Sequence, residues 1–96
     1  MTITIKEDFI AEEEIKKSRF ICHLKRVYTE EEARAFISEI KKEHHKANHN
    51  CSAFTLGDRQ EIQRSSDDGE PSGTAGVPML EILKKREITN VCAVVT

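Results

Sequence analysis

The chain has 96 residues, enough for one domain at most, and 38% of them are hydrophobic while 33% are charged. The hydrophobic fraction is lower and the charged fraction higher than the globular average, so we expect a small hydrophobic core that stabilises the fold only modestly. The formal net charge of −2 argues against a surface that binds nucleic acid everywhere and leaves only a local basic patch for phosphate.

The three cysteines, Cys22, Cys51 and Cys92, are odd in number and widely spaced. This pattern is typical of reduced, buried thiols in a reducing compartment. No apolar run approaches the roughly twenty residues needed to cross a bilayer, and the N-terminus lacks the basic and apolar regions of a signal peptide. We therefore expect a cytoplasmic protein that does not enter a membrane.

Alternating residues predict strands in the first part of the chain. Thr2 to Ile5 is rich in β-branched residues and predicts an edge strand. Phe9 to Ile15 is a weaker strand because three glutamates interrupt its alternation, whereas Arg19 to Val27 alternates well. Residues 16–18 separate these two segments, which indicates a hairpin.

The clearest predicted element is a helix that spans approximately residues 30–46. Thr29 and Glu32 have the spacing of a capping box at its start. Four apolar residues then recur at helical spacing and predict one buried stripe: Ala33, Phe36, Ile37 and Ile40. Basic residues follow at its end, where cations suit the negative end of the helix dipole.

The second half of the chain predicts a strand from Cys51 to Leu56 and a hairpin partner from Glu61 to Ser65. Pro78 suits the first turn of a second helix over residues of about 77–87. Val91 to Val95 is a nearly continuous apolar run, which is typical of a central strand buried on both faces.

Together these elements predict an α+β fold, a mixed β-sheet with the two helices on one face. The chain ends at Thr96, immediately after a core strand. We therefore expect residues 1–96 to form a single domain that is incomplete at its C-terminal end, with no second domain.

The segment from Ser65 to Gly76, which we call the acidic loop, is the most unusual stretch. Its first half carries the carboxylates of Asp67, Asp68 and Glu70, and its second half includes three glycine and alanine residues that lead into a helix start. Backbone N–H groups at such a start favour anions, whereas the carboxylates repel phosphate unless a cation lies between them. A metal-bridged phosphate or an arginine-rich partner is one interpretation, and a tight turn with close packing is the other.

Histidines near the first helix suggest two further kinds of chemistry, neither of them specific. His44, His45, His49 and Cys51 match no strong zinc-ligand spacing, so we predict no metal site. His49 and Cys51 share a strand face and permit a thiol–imidazole pair, but no third residue identifies a nucleophile, which favours a core or hydrogen-bonding role. Acid–base catalysis by the loop carboxylates is equally unspecific, and we assign no catalytic residue.

Basic residues of the predicted N-terminal hairpin form a strip that we expect to face outward. The strip is a candidate for RNA contact, and the alternative is a solvated surface. Its RNA-contact candidates are Lys16, Lys17, Arg19, Lys25 and Arg26, with His23 beside them.

Three motifs resemble markers of the IMPACT (YigZ-like) family. They are Ser18-Arg19-Phe20, the stretch 46–51 followed by Ala53, and the long stretch from Ser66 to Pro78. Their order and spacing match the family across nearly the whole chain, and the third motif is long enough to be specific.

The resemblance implies an α+β fold similar to the second domain of a small-subunit ribosomal protein, with helices on one face of the sheet. Members of the family are linked to translation. The eukaryotic ones restrain a stress-activated kinase by competing for its activator, and the bacterial ones carry an additional ferredoxin-like domain. Their biochemical activity is poorly defined, and the family continues beyond the last strand with an Arg-Tyr-Phe-Gly-Gly block that this sequence lacks.

We therefore predict a translation-associated regulatory or binding module whose partner is RNA, a ribosome or a translation-regulator protein, with no cofactor. The residues expected to bind the ligand or partner are Arg19, His49, Asp67, Asp68, Glu70, Gly73 and Thr74. The alternative is a Mg²⁺-dependent hydrolase or transferase acting on a phosphate-bearing substrate, with the metal held by the loop carboxylates.

Overall fold

A computed structural model describes residues 3–15, 18–43, 50–66 and 76–96 of the chain. Its elements in chain order are β1 (Phe9–Ile15), β2 (Ser18–Arg26), α1 (Glu30–Glu43), β3 (Cys51–Leu56), β4 (Ile62–Ser66), α2 (Gly76–Lys85) and β5 (Val91–Val95). The two predicted helices and the five strands from β1 to β5 are confirmed, except that residues 44–46 of the first predicted helix, with His44 and His45, lie outside the described residues. The predicted N-terminal edge strand is wrong, because Ile3 forms only an isolated parallel bridge with Ile88.

The five strands form one sheet in the order β1-β2-β5-β3-β4. Each ladder between neighbouring strands is antiparallel, so the prediction of a mixed sheet was wrong. The last strand of the chain occupies the centre of the sheet, where Val91 to Val94 are buried. An unbroken apolar run fits this position because a central strand is covered on both faces.

The two helices lie on opposite faces of the sheet. Helix α1 packs with Phe54, Leu56, Cys92 and Val94 in one cluster, whereas Leu83 of α2 packs with Ala53 and Val91 in another. Neighbouring residues of a strand point to opposite faces, so these two sets belong to different sides. The α+β class is confirmed, but the placement of both helices on one face was wrong. The reason is that β3 and β5 are apolar on both faces, and each face gains stability when a helix covers it.

The start of α1 is held by the predicted capping box. The backbone N–H of Glu32 donates to Thr29 Oγ1 at 3.1 Å, and the N–H of Tyr28 donates to Glu32 Oε1 at 3.1 Å. Two otherwise unpaired donors are thereby satisfied, which fixes where the helix begins. The helix then places its apolar stripe on the sheet and its polar flank beside β4.

The turn between β3 and β4 is fastened to the segment before β5, and we call this contact region the turn clamp. Gly57 accepts the φ of 94° that the turn requires, and its N–H donates to Asn90 Oδ1 at 3.0 Å. Gln60 Nε2 donates to the carbonyls of Leu83 at 2.9 Å and Ile88 at 2.8 Å. Thr89 Oγ1 donates to the carbonyl of Gly57. The clamp thus joins the β3–β4 turn to the end of α2.

Neither helix in the described part of the chain is long and apolar enough to span a membrane.

Candidate functional site

A cleft of about 350 Å³ lies between α1 and the β3–β4 hairpin, and we call it the cationic cleft. Its lining residues are Arg34, Ile37, Ser38, Lys41, Ser52, Phe54, Arg64, Ser65 and Ser66. The apolar members form its inner part, and the remaining residues are either cationic or carry a hydroxyl group. This combination suits a polar, negatively charged ligand.

The cations come from two elements that the fold brings together. Arg34 and Lys41 are seven residues apart on α1, so two helical turns place them on the same side. Arg64 approaches from β4, where its backbone pairs with Phe54 of β3. The Arg34 guanidinium lies 5.9 Å from the centroid of the Phe54 ring. The face of the Phe54 ring therefore attracts the Arg34 guanidinium through a cation–π interaction.

One carboxylate faces both arginines at the edge of the cleft. Glu30 Oε1 lies 3.5 Å from Arg64 Nη2, and Glu30 Oε2 lies 3.7 Å from Arg34 Nη2. Both ion pairs are longer than a charge-assisted hydrogen bond of about 2.7–2.9 Å. The side chains of Arg34 and Arg64 are 63% and 53% exposed, so water screens these pairs. Glu30 therefore orients Arg34 and Arg64 through weak ion pairs. Arg64 Nη1 also donates to the Gln63 carbonyl at 2.8 Å while its Nη2 faces Glu30.

Hydroxyl groups add donors and acceptors to the cations. Ser38 lies one helical turn from Arg34 on α1, and Ser52 is 2% exposed in the floor beside Phe54. Ser52 pairs in register with Ser66 at the end of β4. Each hydroxyl can donate one hydrogen bond to an anionic oxygen.

The two ends of the acidic loop meet beside the cleft. A Cβ atom placed on Gly76 would lie 2.7 Å from the Ser66 carbonyl oxygen and 3.0 Å from its nitrogen, so this close approach requires glycine. Residues 67–75 themselves lie outside the described residues. They include five of the predicted binding residues: Asp67, Asp68, Glu70, Gly73 and Thr74. Their roles, the Mg²⁺ site among them, stay predictions, and the structure establishes only where the loop is anchored.

Three other predicted site residues, Lys16, Lys17 and His49, also lie outside the described residues. Arg19 is part of β2, and its backbone pairs with Glu14 of β1. The prediction that these positions bind RNA or a partner therefore stays a prediction.

The hairpin residues that the structure does describe do not form one outward strip. His23 is 5% exposed and therefore buried. Lys25 and Arg26 are adjacent in β2 and so belong to opposite faces of the sheet. Lys25 Nζ lies 5.6 Å from the centroid of the Phe36 ring under α1. The geometry assumed for the strip was wrong, because a strand turns alternate side chains into the core.

The guanidinium of Arg26 has a structural partner in the N-terminal segment. Its Nε donates to the Ile5 carbonyl at 3.0 Å, and its Nη2 donates to the carbonyls of Ile5 and Lys6. Its backbone N–H donates to Asp8 Oδ1 at 3.2 Å. Arg26 thus holds residues 5–8 against the sheet.

Burial favours the protonated form of the Cys22 and Cys92 thiols, because it raises the pKa of each. The pKa of Cys92 rises from its ordinary value of 9.0 to about 12. Cys51 is buried as well. Within residues 3–15, 18–43, 50–66 and 76–96, no three His, Cys, Asp or Glu side chains are grouped so that they could hold a metal ion.

The sequence analysis missed the cationic cleft. The spacing of Arg34, Ser38 and Lys41 on one side of a predicted helix was a readable signal, although a polar helix flank is usually a solvated surface. Arg64 carried no such signal, because it is thirty positions from Arg34 in the chain. Only the packing of α1 beside the β3–β4 hairpin brings the two guanidinium groups to one carboxylate.

The chain resembles known proteins along most of its length. A family model described as the Impact N-terminal domain matches residues 16–96. The IMPACT family member YvyE of Bacillus subtilis (strain 168) is 62% identical over 93 residues, which cover 97% of this chain and 43% of that protein. The IMPACT family member YigZ of Escherichia coli (strain K12) is 46% identical over 85 residues, which cover 86% of this chain and 42% of that protein.

The fold also matches a solved structure described as that of a hypothetical protein. The TM-score is 0.88 at 42% sequence identity, and the match covers 94% of this chain and 45% of the other. The chain therefore spans less than half the length of the relatives it matches.

Proposed function

The chain belongs to the Impact N-terminal domain family, and on this premise we propose that it is a translation-associated regulatory module that binds RNA through the cationic cleft. Family membership supports a general regulatory role in translation. The cleft supports the narrower part of the proposal, that the ligand is a nucleic-acid phosphate. A ribosome would present the same RNA phosphates to the cleft. We accordingly propose that the protein acts in the cytoplasm, where ribosomes are found.

The observation that carries the proposal is the convergence of Arg34, Lys41 and Arg64 on one cleft in a chain of net charge −2. A net-negative protein attracts phosphate only where cations cluster. Guanidinium groups present several N–H donors in a plane and bind phosphate oxygens in pairs. Neighbouring serine hydroxyls supply further donors to the backbone of a single strand.

The basic residues of the N-terminal hairpin are proposed as secondary contacts. Lys25 lies on the same side of the sheet as α1. Arg19 belongs to the same strand, β2, and Lys16 and Lys17 precede it in the chain. Arg26 is the least suited of this group, because its guanidinium already donates to two backbone carbonyls.

The salt dependence of RNA binding tests the proposal. Each phosphate neutralised on a single strand contributes a log–log slope of about −0.7, so three cleft cations should give a slope of about −2. The double substitution Arg34→Ala with Arg64→Ala should reduce the slope to about −0.7 and weaken binding of a mixed-sequence single-stranded RNA. Fluorescence anisotropy titrations at several salt concentrations measure both quantities.

A matched control variant removes two arginine side chains that lie outside the cleft, so its net charge equals that of the cleft variant. Arg59 and Arg86 are both exposed and do not line the cleft. Arg59→Ala with Arg86→Ala should leave the slope and the affinity nearly unchanged. If the two double variants weaken binding equally, the charge acts non-specifically and the cleft is not the site. If RNA does not bind the unaltered chain at all, a protein partner replaces RNA as the proposal.

A further inference from the structure

We propose that the cationic cleft is a site for a terminal phosphate, and that Glu30 is the internal anion which this phosphate displaces. The ligand class is a phosphomonoester, whether it belongs to a mononucleotide or to the 5′ end of an RNA strand. The inference rests on the proposed function only in placing the ligand in the same cleft.

The position of Glu30 marks where an anion satisfies both arginines. Its two oxygens lie 3.5 Å and 3.7 Å from Nη2 of Arg64 and of Arg34, respectively. A carboxylate offers two oxygens, so it meets each guanidinium with only one. A phosphomonoester offers three terminal oxygens and can receive paired hydrogen bonds from each arginine at a shorter distance. The phosphate therefore replaces two long, solvated ion pairs with closer contacts.

The charge of the cleft favours a terminal phosphate over an internal one. Once Glu30 is displaced, the guanidinium groups of Arg34 and Arg64 present two positive charges to the ligand. A phosphomonoester carries about −1.5 to −2 at pH 7, because its second pKa is near 6. A phosphodiester inside an RNA strand carries only one negative charge. The monoester thus matches the cleft, whereas the diester leaves one positive charge unbalanced.

The size and floor of the cleft also fit a small ligand. Its volume of about 350 Å³ lies at the lower end of the range typical of small-molecule sites. Ser52, at 2% exposure, contributes a hydroxyl to the floor, and Ser38 contributes one from α1. A buried hydroxyl gains most when it donates to a charged oxygen, because water cannot satisfy it as easily. The cleft therefore holds one nucleotide better than a length of strand.

Binding of adenosine 5′-monophosphate and of adenosine, measured by calorimetry on the 96-residue chain, tests the ligand class. The monophosphate should bind at least about tenfold more tightly, since charge-assisted hydrogen bonds of this kind are worth about a factor of ten each. Its affinity should rise between pH 5 and pH 7 as the phosphate loses its second proton. Equal affinities for the two compounds, or no binding of either, would overturn the proposal.

Two glutamates of the same helical turn test the role of Glu30. Glu30→Gln removes the competing charge and should tighten binding of adenosine 5′-monophosphate by roughly twofold to fivefold, the equivalent of one screened ion pair. Glu31→Gln changes the net charge equally at an exposed position that does not face either arginine in the described structure, and it should change the affinity by less than about twofold. Equal effects of the two substitutions would show that Glu30 does not occupy the phosphate position.

Two RNA oligonucleotides of identical sequence separate this inference from the proposed function. A 5′-phosphorylated strand should bind several-fold more tightly than the same strand with a 5′-hydroxyl group. Equal binding of both strands would overturn the terminal-phosphate site while leaving RNA binding in place. Binding of adenosine 5′-monophosphate without binding of either RNA would support the site and overturn RNA as the partner.

Discussion

The turn clamp and the cationic cleft are two polar regions of the same small domain, and they are built in opposite ways. In the clamp, neutral side chains such as Gln60 and Asn90 make hydrogen bonds of 2.8–3.0 Å to backbone groups. In the cleft, the charged side chains of Arg34 and Arg64 face Glu30 at 3.5–3.7 Å and remain more than half exposed. The clamp satisfies its polar groups internally, whereas the cleft leaves charge available for a ligand.

The difference follows from solvation. A buried hydrogen bond between neutral groups contributes about 1 kcal/mol, and leaving one partner unsatisfied costs about 1–3 kcal/mol. An exposed ion pair contributes about 0–1 kcal/mol, because water and salt compete for both charges. We therefore expect the clamp to determine stability and the cleft to determine binding. Three predictions concern the core, the clamp and the cleft in order of decreasing effect on stability, and the second and third test this division.

Alkaline pH should produce the largest effect, through the buried Cys92 beneath α1. Burial raises the pKa of this thiol from 9.0 to about 12, so between these values the folded chain keeps a proton that the unfolded chain has lost. The stabilising contribution is complete below pH 9 and is lost as the pH rises towards 12. The free energy of unfolding should fall by about 1 kcal/mol per pH unit across this window.

Urea denaturation at pH 8, 9.5 and 11 measures this loss, and Cys92→Ala provides the comparison. The variant starts from a lower stability because it lacks core volume. Its stability should nevertheless decline less steeply with pH than that of the unaltered chain. Parallel declines would show that other groups cause the alkaline loss.

Removing one hydroxyl from the turn clamp should have the next largest effect. Thr89 is 4% exposed and donates to the Gly57 carbonyl, so Thr89→Val keeps the shape and leaves that carbonyl without this donor. The Gln60 N–H still donates to this carbonyl at 3.0 Å, so we expect a loss of about 0.5–1.5 kcal/mol in the free energy of unfolding. Thermal or urea denaturation measures the loss, while affinity for the cleft ligand should stay unchanged at temperatures where the chain is folded. A stability change below about 0.5 kcal/mol would contradict the importance of the clamp.

Removing a cleft arginine should have the smallest effect on stability. Arg64→Ala breaks an exposed ion pair with Glu30, and the expected loss is less than about 1 kcal/mol. The same substitution should lower the affinity for adenosine 5′-monophosphate by about tenfold or more. Measuring both quantities on one preparation tests the comparison directly. A large loss of stability would place Arg64 in the scaffold instead of the binding site.

Much of the local structure could be predicted from the sequence, because local patterns determine it. The capping box of Thr29 and Glu32 located the start of α1, and the apolar run from Val91 to Val95 indicated a strand buried on both faces. A strand buried on both faces requires that both faces of the sheet are covered, but no local pattern says which element covers which face. The prediction therefore placed both helices on one face.

The candidate site was less accessible to prediction. The motifs drew attention to the acidic loop and to the basic hairpin, but alternation in β2 separates Lys25 from Arg26 and buries His23. The arginines of the cleft belong to an ordinary polar helix flank and to an edge strand. Neither segment is distinctive on its own, so their joint role was not visible.

The sequence by itself determined the family, the α+β class and the order of the elements, because periodicity, capping and motif spacing act over a few residues at a time. Tertiary structure alone decided that β5 pairs antiparallel with both β2 and β3 and that α1 and α2 cover opposite faces. It also decided that Arg34 and Arg64 meet at Glu30. Such arrangements depend on which apolar faces are buried against one another, and this is a property of the whole folded chain rather than of any segment.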